Sequence, residues 1–295
     1  MLDLTIGIDP QRLTAAAQWA HDAYFSCNIC PEKCEINRHA GQRGTCGLNA
    51  DANVYKEYLH FGEEAVLTPS HTVFTSGCNF HCAFCSDIGP VKKPLQHGVR
   101  LSPESLADRI ALRRTQGATN VNFVGGLPDV NLLYILRTLT YCPTDTHVVF
   151  NTNLWTTREA VEQLEGVVGT WLVDFKFGSN RCALKLAGIQ KYLDHMHSLL
   201  PIISKRANVL VRHLVMPGHI DCCTRPVLAW MKANLPQVTV NLMTGYQPFN
   251  MAKGKGLMSR AAPDSDNEHA VRLADSMGLR YIINGVGQPP DVELR

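Results

Sequence analysis

Hydrophobic and polar positions form two alternating kinds of segment over most of the chain. Short runs rich in β-branched and aromatic residues predict buried strands, and longer stretches with apolar residues three and four positions apart predict helices. The predicted strands cover residues 72–76, 119–124, 146–151, 170–175, 208–215 and 237–243. The predicted helices cover residues 103–116, 128–141, 156–165, 189–206, 223–234 and 265–277. This alternation is typical of a parallel sheet with helices outside it.

Local signals mark several helix ends. Ser102 followed by Pro103 is typical of an N-cap and a first helical turn, and Gly278 is typical of a helix end. Residues 14–25 predict a further helix with Thr14 as its N-cap. Six β–α units predict the α/β class, as a partial (β/α)6 barrel of the TIM type. The reactive face of such a barrel lies at the C-terminal ends of its strands.

The first part of the chain has a different composition. Residues 27–60 are rich in cysteine and glycine and predict loops that a metal ion holds together. We therefore expect an N-terminal helix and a small cysteine-rich metal-binding segment over residues 1–70. The partial barrel, with a C-terminal extension, is expected over residues 71–295.

Composition narrows the class of protein. The chain has 295 residues, a formal net charge of +2 and scattered basic residues, which argues against a nucleic-acid partner. No apolar run approaches the roughly 20 residues of a membrane span. The sequence opens without a basic leader region. Its 11 cysteines, an odd number in close spacings, favour metal ligation in a reducing compartment, so we expect a cytoplasmic location.

One run supplies the strongest chemical signal. Cys78, Cys82 and Cys85 follow the predicted strand 72–76 with gaps of three and two residues. Three thiolates leave one iron of a four-iron cluster without a protein ligand. An open coordination position is typical of a reactive metal site. The alternatives are that these cysteines bind zinc or are buried thiols without a ligand.

Further polar residues and glycines follow successive predicted strands. These segments are Val124-Gly125-Gly126-Leu127-Pro128, Asn151-Thr152-Asn153, Asp174-Phe175-Lys176, Arg212-His213 and Asn241-Leu242-Met243. The ends of parallel strands converge at one mouth of a barrel, so we expect these side chains to lie together. A single Asn or His there could be a satisfied core group, but the whole set favours an active site.

With these motifs the sequence resembles the radical S-adenosylmethionine (radical SAM) superfamily. Within it, the sequence is similar to the pyruvate formate-lyase activating enzyme branch, in a group with an extra N-terminal cysteine motif. The resemblance extends from Cys27 to Asn284. It rests on Cys27-Asn28-Ile29-Cys30-Pro31, Gly44-Thr45-Cys46-Gly47, the three-cysteine run, the segments at 151–153 and 174–176, and Arg212-His213-Leu214-Val215-Met216-Pro217-Gly218.

The resemblance implies a chemistry. A [4Fe–4S] cluster would bind S-adenosylmethionine (SAM) at its open iron and cleave it reductively to methionine and a 5'-deoxyadenosyl radical, which abstracts hydrogen from a substrate. It also implies a flavodoxin- or ferredoxin-like electron donor. The substrate would be a glycine or another residue of a partner protein or peptide, as for an activating enzyme. The alternatives are a small-molecule substrate, or a non-catalytic iron–sulfur or zinc protein.

The resemblance also implies roles for individual residues. Cys78, Cys82 and Cys85 would ligate the cluster, and Phe84 would pack beside the adenine. Gly125 and Gly126 match a glycine pair whose backbone reaches the SAM amino group; glycine allows this close approach. Leu127 stands where family members usually carry an acid. The candidates for binding the ribose, the carboxylate or a nearby cation are Asn151, Asn153, Asp174, Lys176 and Arg212. A salt bridge between Asp174 and Arg212 is the structural alternative.

A second set of cysteines lies near the N-terminus. Cys27, Cys30, Cys34 and Cys46 have gaps of two, three and eleven residues. Four thiolates fit either a closed tetrahedral zinc site or an auxiliary [4Fe–4S] cluster, and the spacing does not choose between them. The site would be a structural one, an electron relay or a substrate anchor.

Other candidates lie at the predicted mouth. Cys182, Cys222 and Cys223 are either redox-active thiols or small buried residues. His81 is expected to be a local hydrogen-bond partner. His213, His219, Tyr246 and Gln247 are expected near the substrate, and the basic loop 251–256 either closes over it or is solvated.

Overall fold

The computed structural model describes residues 2–62, 64–254 and 256–285. Within these ranges, eight strands form one sheet whose spatial order is the order of the sequence. The strands are β1 Val54–His60, β2 Ser70–Thr75, β3 Asn120–Gly125, β4 Val148–Thr152, β5 Thr170–Asp174, β6 Asn208–Leu214, β7 Thr239–Met243 and β8 Tyr281–Ile283. Strand β1 is antiparallel to β2, and every later neighbour is parallel.

The described helices lie on the outside of the sheet, and all except the first connect its parallel strands. They are α1 Pro10–Ala23, α2 Ile88–Lys92, α3 Pro103–Thr115, α4 Leu132–Leu139, α5 Arg158–Gln163, α6 Asn180–Ala187, α7 Tyr192–Ile203, α8 Arg225–Asn234 and α9 Asp264–Ser276. The α/β class and the partial TIM-like barrel are therefore confirmed, with β2 to β7 as the six predicted strands. Of the helices that the structure describes, none is long and apolar enough to cross a membrane.

The N-cap of the N-terminal helix lies five residues earlier than predicted. Helix α1 starts at Pro10, and its N-cap is Asp9 rather than Thr14. The Asp9 carboxylate accepts hydrogen bonds from the backbone N–H groups of Gln11 and Arg12 at 2.9 and 3.1 Å. An aspartate followed by proline is a better helix start than an internal threonine, because both orphan donors of the first turn are satisfied.

Several other helix boundaries differ from the prediction. The predicted helix 128–141 is a short 3₁₀ turn followed by α4, and the predicted helix 189–206 begins only at Tyr192. Helix α6 was not predicted. It ends at Gly188, whose φ of +77° separates it from α7. Ser102 does cap α3 as expected, since its Oγ accepts from the Ser105 N–H at 3.1 Å.

Two strands were also missed. Strand β1 lies within the segment 27–60, which was predicted as loops, and pairs with β2 along its whole length. Strand β8 follows α9 and pairs with β7. The predicted division into residues 1–70 and 71–295 stays a prediction, and residues 286–295 of the second part lie outside the described residues.

Alternation along the strands divides the sheet into two faces. Side chains at odd and even positions of a strand point to opposite sides. Phe150, Trp171 and Val211 belong to the large core between sheet and helices. On the inner face, a small apolar layer is formed by Leu67, Val149, Leu172 and Leu210. Two residues further along the same strands, the inner positions are Asn151, Asp174 and Arg212. Polar chemistry therefore begins one layer above the apolar base of the barrel.

Candidate active site

The loop with three cysteines (residues 77–87) begins directly after β2. Its first residue, Gly77, has a φ of +85°, and a Cβ there would lie 2.5 Å from the Leu48 side chain. Only glycine satisfies both the left-handed backbone and the close approach. The loop therefore starts in a fixed direction, packed against the N-terminal segment that carries the second cysteine set.

Helix α6 holds the middle of the three-cysteine loop. The His81 N–H donates to the Ala187 carbonyl at 3.1 Å, and the Ala83 N–H donates to the Leu186 carbonyl at 2.7 Å. Both acceptors lie in the last turn of the helix, where carbonyl groups lack intrahelical partners. The loop thus satisfies the end of α6, and α6 fixes the loop. The His81 side chain is exposed.

All three cysteines line one cavity of about 300 Å³ at the C-terminal ends of the strands. The cavity brings together every predicted cofactor residue except Arg212, within the part of the chain that the structure describes. The predicted residues in its lining are Cys78, Cys82, Phe84, Cys85, Gly125, Gly126, Leu127, Asn151, Asn153, Asp174, Lys176, Tyr246 and Gln247.

The protonation of these thiols follows from their burial. Burial raises the pKa of Cys82 to about 12 and also raises the pKa values of Cys78 and Cys85. The positive charge of Lys176 lowers all three pKa values, but by less than burial raises them. Free thiols here would stay protonated at neutral pH. A bound metal cation replaces the protons and compensates the negative charge of the buried thiolates. The donor set therefore suits a metal centre.

Gly125 and Gly126 form a second wall of the cavity. Gly125 has a φ of +100°, and a Cβ there would lie 2.7 Å from the Thr75 carbonyl oxygen. A Cβ on Gly126 would overlap the backbone of Gly77. A side chain at Gly125 would displace the backbone of β2, and one at Gly126 would displace the start of the three-cysteine loop. The pair leaves backbone, rather than side chains, facing the cavity.

The acid that family members carry after this pair is replaced by Leu127, which lines the cavity and is buried. The next acid along the chain, Asp129, is also buried, and burial raises its pKa to about 6. Its carboxylate accepts a hydrogen bond from the Thr152 hydroxyl. Asp129 therefore supports the end of β4 from outside the cavity lining and does not take over the missing position.

Lys176 organises the polar side of the cavity. Its Nζ donates to Asn153 Oδ1 at 2.7 Å and forms an ion pair with Asp174. Asn151, one strand away from Asp174, lines the same cavity and an adjacent one. Three of the predicted residues are thus one hydrogen-bonded group, with a cation directed toward the cysteines and a carboxylate beside it.

Arg212 lies in a different place from the one predicted. It lines the adjacent cavity of about 330 Å³ together with Glu64. Its Nε and Nη2 donate to the two carboxylate oxygens of Glu64 at 2.6 and 2.5 Å. The alternative salt bridge to Asp174 is wrong: the two residues are register neighbours, but Asp174 pairs with Lys176 and Arg212 pairs with Glu64.

Glu64 is a residue that the sequence analysis missed. Burial acts to raise the pKa of its carboxyl, but the charge and hydrogen bonds of Arg212 outweigh burial and hold the pKa below its ordinary value. Asn241 Nδ2 adds a third hydrogen bond at 2.7 Å. Glu64 is 148 positions from Arg212 along the chain. A buried arginine requires a partner of opposite charge. The position of Arg212 at the end of a buried strand is therefore the only sequence signal that could have indicated an acid beside it.

An aromatic group closes the cavity on a third side. The Phe84 ring lies edge-on to Phe177 and Tyr246, with centroids 6.3 and 6.0 Å apart. All three are buried, and Gln247 continues the same wall. Flat apolar surface beside three thiols suits a planar ring such as adenine.

Two predicted substrate-side histidines lie elsewhere. His213 is fully buried behind the sheet, with Nδ1 2.8 Å from the Phe175 carbonyl and Nε2 3.0 Å from Thr224 Oγ1. Burial lowers its pKa to about 4. It is therefore a neutral structural residue. His219 lies with Cys222 outside the lining of this cavity.

The basic loop 251–256 contacts the three-cysteine loop. The Ala252 N–H donates to the Ala83 carbonyl at 2.8 Å, while Met251 is 42% exposed. Lys255 lies outside the described residues. The contact places the loop beside the cavity, so its expected role in covering a substrate stays a prediction.

The four N-terminal cysteines meet around a separate, very small cavity. Its lining includes Cys27, Cys30, Cys34 and Cys46. A Cβ on Gly44 would lie 2.9 Å from Cys34 Sγ, so glycine is needed where the chain bends around the thiols. Burial raises the pKa of Cys30 to about 12 and also raises that of Cys46. Four thiols that line one small cavity suit a metal, and the lining does not choose between zinc and an iron–sulfur cluster.

The two cysteine sets are physically joined. Asn79, the residue after Cys78, lies against the Cys30 thiol and donates to the Trp155 carbonyl at 3.0 Å. The Trp155 indole N–H in turn donates to Glu32 Oε1 at 3.0 Å. Hydrogen-bonded side chains therefore connect the two cysteine sets.

Comparison with known proteins agrees with this geometry. The radical SAM superfamily profile matches residues 72–231, which include most of β2, the three-cysteine loop and strands β3 to β6. An uncharacterised protein of Methanocaldococcus jannaschii is 38% identical over 280 residues, covering 93% of this chain and 82% of the relative.

Solved structures share the fold. The Streptococcus suis protein SuiB bound to S-adenosylmethionine is 12% identical with a TM-score of 0.53, over 74% of this chain and 51% of SuiB. SuiB bound to its precursor peptide SuiA is 13% identical with a TM-score of 0.52, over 70% of this chain and 46% of SuiB. This chain thus spans about half the length of SuiB. Because the profile match covers more than half of the chain, the chain belongs to the radical SAM superfamily, whose cofactors are a [4Fe–4S] cluster and S-adenosylmethionine.

Proposed function

We propose that this chain is a radical SAM enzyme of the activating-enzyme type, and that it abstracts a hydrogen atom from a residue of a partner protein or peptide. The observation that supports this proposal most directly is the convergence of three thiols, two glycines and a polar group on one cavity. Superfamily membership supports radical chemistry. The substrate and the hydrogen-abstraction step are the proposed part.

The cavity residues fit the two cofactors. Cys78, Cys82 and Cys85 would hold the cluster, because three thiolates on one wall leave the fourth iron facing the cavity. When bound and reduced by one electron, cluster and SAM together supply methionine and a 5'-deoxyadenosyl radical. A ferredoxin- or flavodoxin-like protein is the proposed donor of that electron.

The remaining residues would orient SAM and exclude water. Phe84 would pack on the adenine, and the backbone at Gly125 and Gly126 would approach the methionine amino group, since no Cβ intervenes. Lys176 offers a cation beside the thiolates, which offsets their negative charge. Asp174 would accept hydrogen bonds from the ribose. A reactive radical needs such a dry, shaped site, because side reactions with water or stray hydrogens would waste it.

The proposed class of substrate rests on the neighbouring structures. SuiB, which shares the fold, has been solved with its precursor peptide bound. A peptide would enter from the mouth, where Tyr246, Gln247 and the partly exposed loop at Met251 border the cavity. A small-molecule substrate is the competing possibility within the same chemistry.

The test is anaerobic reconstitution of the full chain with iron and sulfide, followed by dithionite and SAM. We expect 5'-deoxyadenosine and methionine in equal amounts, and a loss of at least about 100-fold in the Cys82→Ala variant because the cluster loses a corner. Cys142→Ala is the matched control, since Cys142 lies in the turn after α4 and lines neither cysteine cavity. We expect its activity to be unchanged.

Absence of 5'-deoxyadenosine from a wild-type sample with a full complement of cluster iron would contradict the proposal and favour a non-catalytic metal protein. Substrate class is tested by adding candidate glycine-containing peptides and small molecules with deuterium at carbon. Deuterium in 5'-deoxyadenosine would identify the molecule that loses hydrogen. Transfer only from small molecules would contradict the peptide proposal while leaving the radical step intact.

A further inference from the structure

A third group of metal-binding side chains lies outside both cysteine cavities described above. Cys182 is in the first turn of α6, while His219, Cys222 and Cys223 belong to the turn between β6 and α8. Their donor atoms, three sulfurs and one imidazole nitrogen, all lie within 4.8 Å of one another. No role in radical chemistry has been assigned to any of them.

The distances match those around one tetrahedral ion. With Zn–S bonds of about 2.3 Å and Zn–N bonds of about 2.0 Å, tetrahedral ligands stand about 3.8 Å apart for two sulfurs and about 3.5 Å for sulfur and nitrogen. The Sγ atoms of Cys182 and Cys222 are 3.6 Å apart. His219 Nδ1 lies 3.7, 3.2 and 3.8 Å from the sulfurs of Cys182, Cys222 and Cys223.

We propose that Cys182, His219, Cys222 and Cys223 form a closed, structural zinc site. Three thiolates and one imidazole are an established ligand set for structural zinc, and four protein ligands leave no position for a substrate. The inference concerns metal binding alone and does not depend on the proposed radical function.

Two alternatives fit the geometry less well. In a [4Fe–4S] cluster each thiolate binds a different iron, so the sulfurs would stand farther apart than around a single ion. A disulfide between Cys182 and Cys222 would need an S–S distance of about 2.05 Å and would leave His219 and Cys223 without a reason to converge on the pair. The zinc site uses all four donors.

The local fold explains how two adjacent cysteines reach the same point. Ile220–Thr224 forms a single wide π-type turn, a conformation that is frequent at functional sites. The Cys223 N–H donates to the His219 carbonyl at 2.9 Å, which holds the histidine over the turn. Gly178, in the loop after β5, packs so closely that a Cβ there would lie 2.7 Å from the Cys223 Cα. The site therefore ties together the loops after β5 and β6.

The position of the site indicates its effect. Cys182 lies at the N-terminal end of α6, and the other end of this eight-residue helix accepts two hydrogen bonds from the three-cysteine loop. An ion at the first end fixes the helix that supports the loop. Zinc binding would release protons from the thiols, so retention of the metal is expected to weaken at acid pH.

The experiment counts zinc by mass spectrometry in the full chain, purified with zinc present. We expect the Cys222→Ser variant to hold about one zinc fewer per chain than wild type, and Cys142→Ser to match wild type. His219→Cys, which keeps four donors, should retain the ion. Because the comparison is a difference, zinc at the N-terminal cysteines does not affect it. Equal zinc in wild type and Cys222→Ser would overturn the proposal.

A second measurement uses wild type only and does not rely on a variant that folds. Iodoacetamide labelling should leave Cys182, Cys222 and Cys223 unmodified until a chelator is added, whereas labelling of Cys142 should not respond to the chelator. Labelling of the three cysteines that is independent of the chelator would overturn the site. So would a disulfide-linked peptide that contains Cys182 and Cys222 in freshly purified protein.

Discussion

The two ends of helix α6 carry cysteines in very different arrangements. At its C-terminal end, the three-cysteine loop places its thiols on the wall of a cavity of about 300 Å³, beside glycines and an ion pair. At its N-terminal end, the four donors of the Cys182 group lie within 4.8 Å of one another. The ligand atoms are similar, and what differs is how many of them converge. Three donors leave a coordination position for a second molecule, whereas four donors can close the coordination shell of an ion.

The largest effect is expected from adding a side chain to the glycine wall of the three-cysteine cavity. In Gly126→Ala the new Cβ would overlap the Gly77 backbone, so the three-cysteine loop has to move. We expect most of the cluster iron to be lost, about four atoms per chain, while the zinc content stays at the wild-type level. Iron and zinc are counted on the same reconstituted sample.

Gly245→Ala is the matched control, because Gly245 lines the same cavity but has nothing within 4 Å of an added Cβ. Its iron content should equal that of wild type. Normal iron in Gly126→Ala would mean that the glycine pair does not position the loop, and the contrast between open and closed sites would lose its structural basis.

The next effect concerns the adjacent cavity, whose lining contains the ion pair of Arg212 and Glu64. Glu64→Gln removes the charge of a carboxylate that binds the buried Arg212 guanidinium, and we expect the free energy of unfolding in urea to fall by about 3–5 kcal/mol. Glu165→Gln removes a half-exposed pair with Arg206 and should cost less than about 1 kcal/mol. Similar losses from the two variants would show that the Glu64 pair is not a buried structural element.

The smallest effect concerns the influence of the Lys176 charge on the pKa of the cluster thiols. Burial raises the pKa of Cys82, and Lys176 opposes this, so Lys176→Met should raise that thiol pKa further. Thiolates then form only at higher pH, and we expect the pH midpoint of cluster assembly to move upward by about one unit. The absorbance of the reconstituted cluster, followed from about pH 6 to about pH 9, measures this midpoint.

Lys185→Met serves as the comparison for that experiment, because Lys185 acts on His219 in the closed site. Its iron-assembly midpoint should not move. An unchanged midpoint in Lys176→Met would mean that the lysine does not influence the thiols, and its place in the cavity would then be explained by the Asp174 pair alone.

The parts of the molecule that could be predicted from sequence share one property: their signals are local. Strands β2 to β7 are buried runs bounded by turns. The spacing of Cys78, Cys82 and Cys85 within eight residues indicates a metal site. The convergence of Asn153, Asp174 and Lys176 followed from the rule that parallel strands end at one face.

The parts that could not be predicted depend on residues far apart in sequence. Glu64 meets Arg212 across 148 positions, and Cys182 meets Cys222 across 40. Each residue alone has an ordinary context, so only the folded chain brings the pair together. His219 was expected near the substrate because it follows a strand end at the mouth of the barrel. The turn at Ile220–Thr224 places it beside Cys182, Cys222 and Cys223 instead.

Missed strands and helices have a different cause. Strand β1, Val-Tyr-Lys-Glu-Tyr-Leu-His, mixes charged and apolar residues without a clean alternation, because it is an edge strand with only one fully buried residue. Its charges are satisfied by tertiary partners: Glu57 bonds to His71 and to Arg113, both at 2.9 Å. Such a segment resembles a loop until its partners are known.

An incomplete barrel has two sheet edges, and exposed edges promote aggregation by pairing with strands of other molecules. Here β1, at one end, carries Lys56 and Glu57, and two arginines of α3 bind Glu57 from beside the sheet. At the other end β8 has only three residues. Both are devices that discourage edge-to-edge association. Within the part of the chain that the structure describes, the open barrel therefore ends in two edges that are poor templates for a further strand.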